Sequence, residues 1–466
     1  MKIILKSFRI IPLLLLTIMF QACSSDDDRV VVQQPFNIVE LASASPNLSN
    51  LVLALQAADG NLDVLLSGNG PYTVLAPTND AFDTFLAQNG FASLDAVPTD
   101  VLAQILLNHV ISEDITSSQL IAAGDGYAKT NADGAGGEKL SLYFNTSNGV
   151  TFNNVSSVTM GGADIDASNG TIHIVDAVIG LPNIVTHATA NPDLSSLVGA
   201  LTAGNNTTFT DLLSMDGDFT VFAPNNDAFS AFTNPNGNDI ANVLSNHVIV
   251  GTTAISTGLS SGYQNTAAEN ADGDNLSLYV NTTNGVMLNG SSMVTVADVV
   301  ATNGVIHIVN QVIDLPTIAT FATSNDALSN LVAALQLADT GSPTVPWIGT
   351  VSDVSAGPYT VFAPTNDAFT DLLLELDPSG NTALGDLDPA TVDAVLLMHV
   401  VNSNVRSMDL MSGTVPTLGG NLTLDVNTLT LTDNNGRDIG IIGSLVDIQA
   451  VNGVVHAIDT VILPNP

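Results

Sequence analysis

Basic residues are scarce: 8 Lys plus Arg stand against 45 Asp plus Glu, a formal net charge of −37. A surface this acidic repels phosphate backbones, which excludes nucleic acid as a partner. Cysteine is nearly absent, and its single occurrence, Cys23, excludes any intrachain disulfide. Aromatic residues make up 5% of the chain and Trp occurs once, so stacked aromatic platforms for sugars are few. No apolar run reaches the roughly 20 residues a membrane-spanning helix needs. At 466 residues the chain has room for about three domains, each able to bury a core without disulfides or metals.

Three of the few basic residues, Lys2, Lys6 and Arg9, precede an apolar stretch from Ile10 to Phe20 that ends at FQAC. This is the layout of an export signal over residues 1–22. Cys23 sits where a bacterial lipoprotein carries its lipidated residue, and residues 23–34, beginning CSSDDD, read as a polar acidic tether. Removal of the leader leaves five basic residues against 45 acidic ones. Anionic headgroups repel such a surface, so the expected membrane attachment is through the N-terminal lipid alone. The expected location is the outer membrane, facing the cell surface or the periplasm.

What the sequence has in abundance is itself. PFNIV at Pro35, LPNIV at Leu181 and LPTIA at Leu315 open three similar stretches, at 35–180, 181–314 and 315–466. The period is far too long for a solenoid and marks a duplicated domain. Leu48, Leu51, Val52 and Leu55 recur as Leu194, Leu197, Val198 and Leu201, and as Leu328, Leu331, Val332 and Leu335. That spacing predicts one apolar stripe on a helix. YTVLAPTNDAF (Tyr72–Phe82), FTVFAPNNDAF (Phe219–Phe229) and YTVFAPTNDAF (Tyr359–Phe369) follow. Each reads as a β-branched strand broken by proline, then a helix capped by Thr78, Asn225 or Thr365. Asp80, Asp227 and Asp367 fall in the first turn, at the positive end of the helix dipole.

A third shared segment places His109, His247 and His399 at the end of an apolar helical stripe. Asn-Gly turns at Asn148, Asn284 and Asn435 predict hairpins among the strands that follow. Each copy closes on NGTIHIVDAVI (Asn169–Ile179), NGVIHIVNQVI (Asn303–Ile313) or NGVVHAIDTVI (Asn452–Ile462), with His173, His307 and His456 in the closing strand.

The early box and the closing box resemble the signature segments of the fasciclin domain family, three times over and in the same order. The resemblance implies a mixed α/β (α+β) fold, each domain a β-sandwich or wedge of short strands flanked by several helices. It implies extracellular adhesion, matrix or polysaccharide-associated roles, and no enzyme.

The residues themselves point the same way. Two histidines per copy invite a metal or acid–base reading, but the copies share no third ligand at metal spacing. A histidine on an apolar stripe is more often packed and hydrogen-bonded to backbone. His187 is unrepeated. No serine lies in a nucleophile elbow, and no glycine-rich phosphate loop follows a strand. NADGAGGEKL (Asn131–Leu140) and NADGDNLSL (Asn270–Leu278) place Asp133, Glu138, Asp272 and Asp274 around glycine turns. These four are calcium candidates, though hairpin turns need the same residue types. The third copy carries an insert, Thr340–Gly357, with the lone Trp347. Proline and glycine suggest a surface loop, in which Trp347 is either tucked under or offered to a partner, and burial is favoured.

The expected function is a lipid-anchored adhesion protein contacting polysaccharide, matrix or other cells, with multivalency as its advantage. The alternative is a self-associating structural or stress-related envelope protein. The short apolar junctions at Leu181 and Leu315 predict packed neighbouring domains.

Overall fold

The computed structural model describes residues 36–203 and 207–465; the export signal, Cys23 and the tether lie outside the described residues. Phe36–Pro466 forms one compact unit in which a single plan is built three times.

Each copy opens with short helices, in the first copy Ile38–Ala44, Ser49–Ala57 and Leu62–Ser67. The box strand Tyr72–Pro77 then pairs in parallel with the closing strand Gly170–Val175, so the two signature segments lie side by side. Phe219–Pro224 with Gly304–Val309, and Tyr359–Pro364 with Gly453–Ile458, repeat the pairing residue for residue. Val110–Ile111 and Ile165–Ala167 flank the parallel pair to complete a four-stranded sheet. A second sheet follows the order Asp125–Asp133, Lys139–Asn145, Thr151–Phe152, Ser156–Ser157. In the middle copy the long strand Ser292–Ala301 joins both sheets into one of seven strands.

The box strand is buried on both faces because side chains alternate. Val74 and Ala76 join the core beneath the helices, while Leu75 joins the core between the two sheets. Val361 and Phe362 divide in the same way in the third copy. The resulting wedge is a mixed α/β fold with a helix layer, a central sheet and a second sheet.

Local chemistry explains both boxes. Thr78, Asn225 and Thr365 cap the following helix by accepting from the backbone N–H of Ala81, Ala228 and Ala368. The next residue, Asn79, donates to the Pro46 carbonyl and accepts from the Asn50 N–H, both at 2.9 Å. Asn226 and Asn366 clip the same two helix starts in their own copies. In the closing box, Asn169, Asn303 and Asn452 each donate twice to carbonyls at or just past the end of the third helix and accept from the first residue of the opening helix. The glycine after each has φ near +150° (146°, 155° and 147°), and a Cβ there would lie 1.9–2.2 Å from a box-strand carbonyl. Only glycine fits.

Two sequence expectations are corrected. The helix preceding His109 ends at Leu107, and those preceding His247 and His399 end at Ser245 and Leu397. These histidines follow the helix rather than ride on it. The insert of the third copy is not simply a surface loop: Trp347–Ser352 is helical, between the opening helices and the box strand as Leu62–Ser67 is in the first copy. Asp339 fixes its start by accepting from the backbone N–H groups of Trp347 and Ile348.

Candidate binding surfaces and domain junctions

The six repeated histidines are fully engaged with backbone. His109, His247 and His399 bond through Nδ1 to the carbonyl four residues back, at 2.7–2.8 Å. Their Nε2 accepts from the N–H of Ile179, Ile313 and Ile462 at 2.9–3.0 Å. Each ring thus fixes the chain where it leaves the closing strand. Burial pushes all three down to about 4, so they are neutral at pH 7.

His173, His307 and His456 accept at Nδ1 from the N–H of Asp164, Asp298 and Asp447. Their Nε2 donates to the carbonyls of Ile115, Ala254 and Val405, each at 2.9 Å. Ser117, Ser256 and Ser407 donate backbone N–H and hydroxyl to the same three aspartates. Serine, aspartate and histidine therefore meet in every copy, but the serine bonds the carboxylate and both ring nitrogens are taken. A nucleophile–base pair needs the serine on the imidazole. This cluster ties a loop to the closing strand, and its serine and aspartate went unnoticed in the sequence.

Trp347 is 2% exposed, and its indole N–H donates to Asp393 at 2.7 Å. It is packed in the core of the third domain beside Val351 and Leu335 rather than standing at the surface. Asp80, Asp227 and Asp367 are exposed in the first turn of the box helix in all three copies.

The acidic turns lie at hairpin tips. Asp133 pairs with Lys139 inside its own hairpin, whose turn includes Glu138. Asp272 and Asp274 reach the third domain: Asn404 donates to both, at 3.0 and 3.2 Å, and Arg406 donates to Asp274 at 2.8 Å. The cation at Asp274 is a guanidinium, and Asp272 is held by the Asn404 amide. Among the described residues no group of three His, Cys, Asp or Glu side chains is placed to hold a metal ion.

These contacts belong to a junction built twice. Tyr127 and Tyr143 pack at 5.2 Å between ring centroids, and the Tyr127 hydroxyl accepts from Asn191 of the second domain at 3.2 Å. Tyr263 and Tyr279 pack at 4.9 Å, and the Tyr263 hydroxyl accepts from Asn325 of the third domain at 3.1 Å. Ser141 accepts from the Val300 N–H at 2.9 Å, and Ser277 from the Gln449 N–H at 3.0 Å. His187 covers Tyr127 where Phe321 covers Tyr263. Lys129 adds a bond to the Asp298 carbonyl at 2.8 Å, and burial lowers its pKa. A polar cleft of about 330 Å³ runs along the first junction, with Asp125, Asp193 and Lys129 in its walls. The signal for this interface was present in the sequence: LSLY recurs at Leu140–Tyr143 and Leu276–Tyr279, whereas the third copy has Thr423 at the tyrosine's place in the strand register.

Comparison with known proteins agrees with this architecture. The fasciclin domain model matches residues 46–182, 192–316 and 326–464. Human periostin is 26% identical over 422 residues, covering 86% of this chain and 44% of periostin. The transforming growth factor-beta-induced protein ig-h3 of Sus scrofa is 26% identical over 455 residues, covering 94% of this chain and 59% of that protein. This chain thus spans about half the length of these two relatives. The cell surface glycolipoprotein MPB83 of Mycobacterium bovis is 32% identical over 149 residues, covering 32% of this chain and 60% of that protein. Among solved structures, a domain pair from the insect cell adhesion molecule fasciclin I aligns with a TM-score of 0.37 and 18% identity, covering 59% of this chain and 98% of that one. Three consecutive matches, each containing both boxes and the strand pairing that joins them, place this chain in the fasciclin domain family.

Proposed function

We propose that this chain is an extracytoplasmic, lipid-anchored adhesion protein that presents three fasciclin domains to polysaccharide, matrix or other cells. The observation that carries the reading is the repeated junction. Copies docked through equivalent residues present equivalent faces at a fixed spacing, which suits multivalent contact with an extended ligand. The shared polar residues support it from the other side. Histidines and box asparagines are consumed by the scaffold, so the recognition chemistry lies on the variable outer surface.

The relatives' names are consistent with this role: one is a cell surface glycolipoprotein, another a fasciclin-like arabinogalactan protein of Arthroderma benhamiae. Anchoring is assigned to Cys23, after a leader at residues 1–22. The acidic surface implies that an anionic ligand is engaged through a bridging cation, for which the hairpin carboxylates Asp133 and Glu138 are the candidates.

The test is binding of the unit Phe36–Pro466 to an array of glycans and matrix polymers, in calcium and in chelator. Saturable binding to one polymer class supports adhesion, and loss in chelator supports the bridging cation. A blank array together with concentration-dependent self-association would replace this reading with the structural envelope role.

A further inference from the structure

The two junctions differ at one buried spot. In the second domain the helix Ile184–Ala190 presents His187 and, one turn on, Asn191 to Tyr127 of the first domain. In the third, Ile318–Ser324 presents Phe321 and Asn325 to Tyr263 in the same way. The strand registers set Lys129 opposite Ser141 and Asn265 opposite Ser277, so Lys129 at the first junction stands where Asn265 does at the second. Histidine and lysine share one junction; phenylalanine and asparagine share the other.

His187 is 0% exposed, and its ring lies 5.8 Å from that of Tyr127. Its Nε2 donates to the Val300 carbonyl at 3.1 Å, and the Val300 N–H in turn donates across the junction to Ser141. Nδ1 has no hydrogen-bond partner among the described residues. With the Nε2 proton committed, a second proton can go only to Nδ1, where nothing accepts from it. A buried charge without a partner is costly. Burial therefore pushes His187 down to about 4, and the nearby Lys129 ammonium pushes the same way.

The other charges around the ring do not offset this. Asp125 and Asp193 belong to the junction cleft with Tyr127 and Tyr143, and His187 is not among its walls. The Asp298 carboxylate is taken by Ser256. The adjoining helix Ser195–Leu201 has no titratable residue, and His307 lies on the far face of its strand, against Phe222. Undocking withdraws Tyr127 and lets water reach Nδ1, which moves the ring back toward its ordinary 6.5. The undocked form then binds more protons between about 6.5 and 4, so acid favours it.

From the bare Nδ1, the neighbouring Lys129 and the uncharged second junction, we propose that protonation of His187 undocks the first domain from the second. The second and third domains stay docked. This hinge is independent of the adhesive reading. The test is hydrogen exchange of Phe36–Pro466 at pH 7 and pH 5, corrected for the intrinsic pH dependence of exchange. The Val300 N–H reports the first junction, and the Gln449 N–H, bonded to Ser277, reports the second. The second and third domains each hold one of the repeated histidines near 4, so acid loosening of the domains themselves cancels in the comparison. Protection at Val300 should fall at least about fivefold more than at Gln449, with a ceiling of about 30-fold for 1.5 units below 6.5. His187→Phe, which installs the residue type of the second junction, should abolish the difference. Lys129→Asn, which keeps the ring, should lessen it. Equal falls at Val300 and Gln449, or a difference that survives in His187→Phe, would overturn the hinge. An undiminished difference in Lys129→Asn would overturn the part assigned to the lysine.

Discussion

Asn303→Ala removes one side chain that holds three elements of the middle domain together. Its amide donates to Leu213 and Met215 carbonyls at 2.8 and 2.9 Å, and its oxygen accepts from the Ile184 N–H at 3.0 Å. The residue is 4% exposed, so water does not replace these bonds. A hydrogen bond contributes about 1 kcal/mol net, and each buried group left unmet costs roughly 1–3 kcal/mol. The expected loss is therefore about 3–5 kcal/mol. For a domain of this size that is a fall in Tm on the order of 10–20 °C. Calorimetry of Phe36–Pro466 should show a lowered transition for the middle domain. Asn303→Asp keeps the acceptor but sets a carboxylate against two carbonyls, and should be as damaging. A loss below about 1 kcal/mol in Asn303→Ala would refute the argument that the closing box is scaffold.

Stability should fall as pH drops from about 6.5 toward 4. His109, His187, His247 and His399 are held near 4 in the folded state by burial, so the unfolded chain binds more protons across that window. Their contribution is complete above 6.5 and lost on acidification, by up to about 3 kcal/mol per histidine; denaturant titrations at several pH values measure it, and a flat profile would contradict the burial account. Tyr263→Ala, which removes ring packing and the Asn325 bond, should cost about 2–4 kcal/mol and separate the unfolding of the second and third domains. Trp347→Phe strips Asp393 of its indole donor and should lower stability by about 2 kcal/mol, measured by urea melts. Head-to-tail assembly through a further junction is not expected. Thr414 and Thr423 stand where Tyr127 and Tyr143 do, and Asp166 stands where Val300 does, so sedimentation should find no association by that route.

Much of the fold was readable because repetition averages out local ambiguity. Three occurrences of a β-branched run, a proline and a Thr or Asn fixed the box strand and its capped helix. What was not readable depended on pairing across the domain. Nothing local in NGTIHIV says that Asn169 reaches Leu66 and Ile38, or that His173 meets Asp164, because those partners lie far away in sequence. The histidine at the helix end was misplaced because the apolar period continues for one turn after the backbone has left the helix. The insert hid a helix because Pro346 starts Trp347–Ser352 rather than breaking it, proline being tolerated where no N–H is required. The junction tyrosines show in the sequence only as a residue type shared by two copies and missing from the third. It marks which copies have a neighbour docked on that face.

The central claim is that three docked domains act together on an extended ligand. It is tested most directly by measuring the apparent affinity of Phe36–Pro466 for its best polymer at increasing surface densities. Joint engagement predicts a gain on the order of 10²-fold or more as the spacing falls within reach of two domains. Affinity independent of density would contradict it and leave a single binding domain with two passive neighbours.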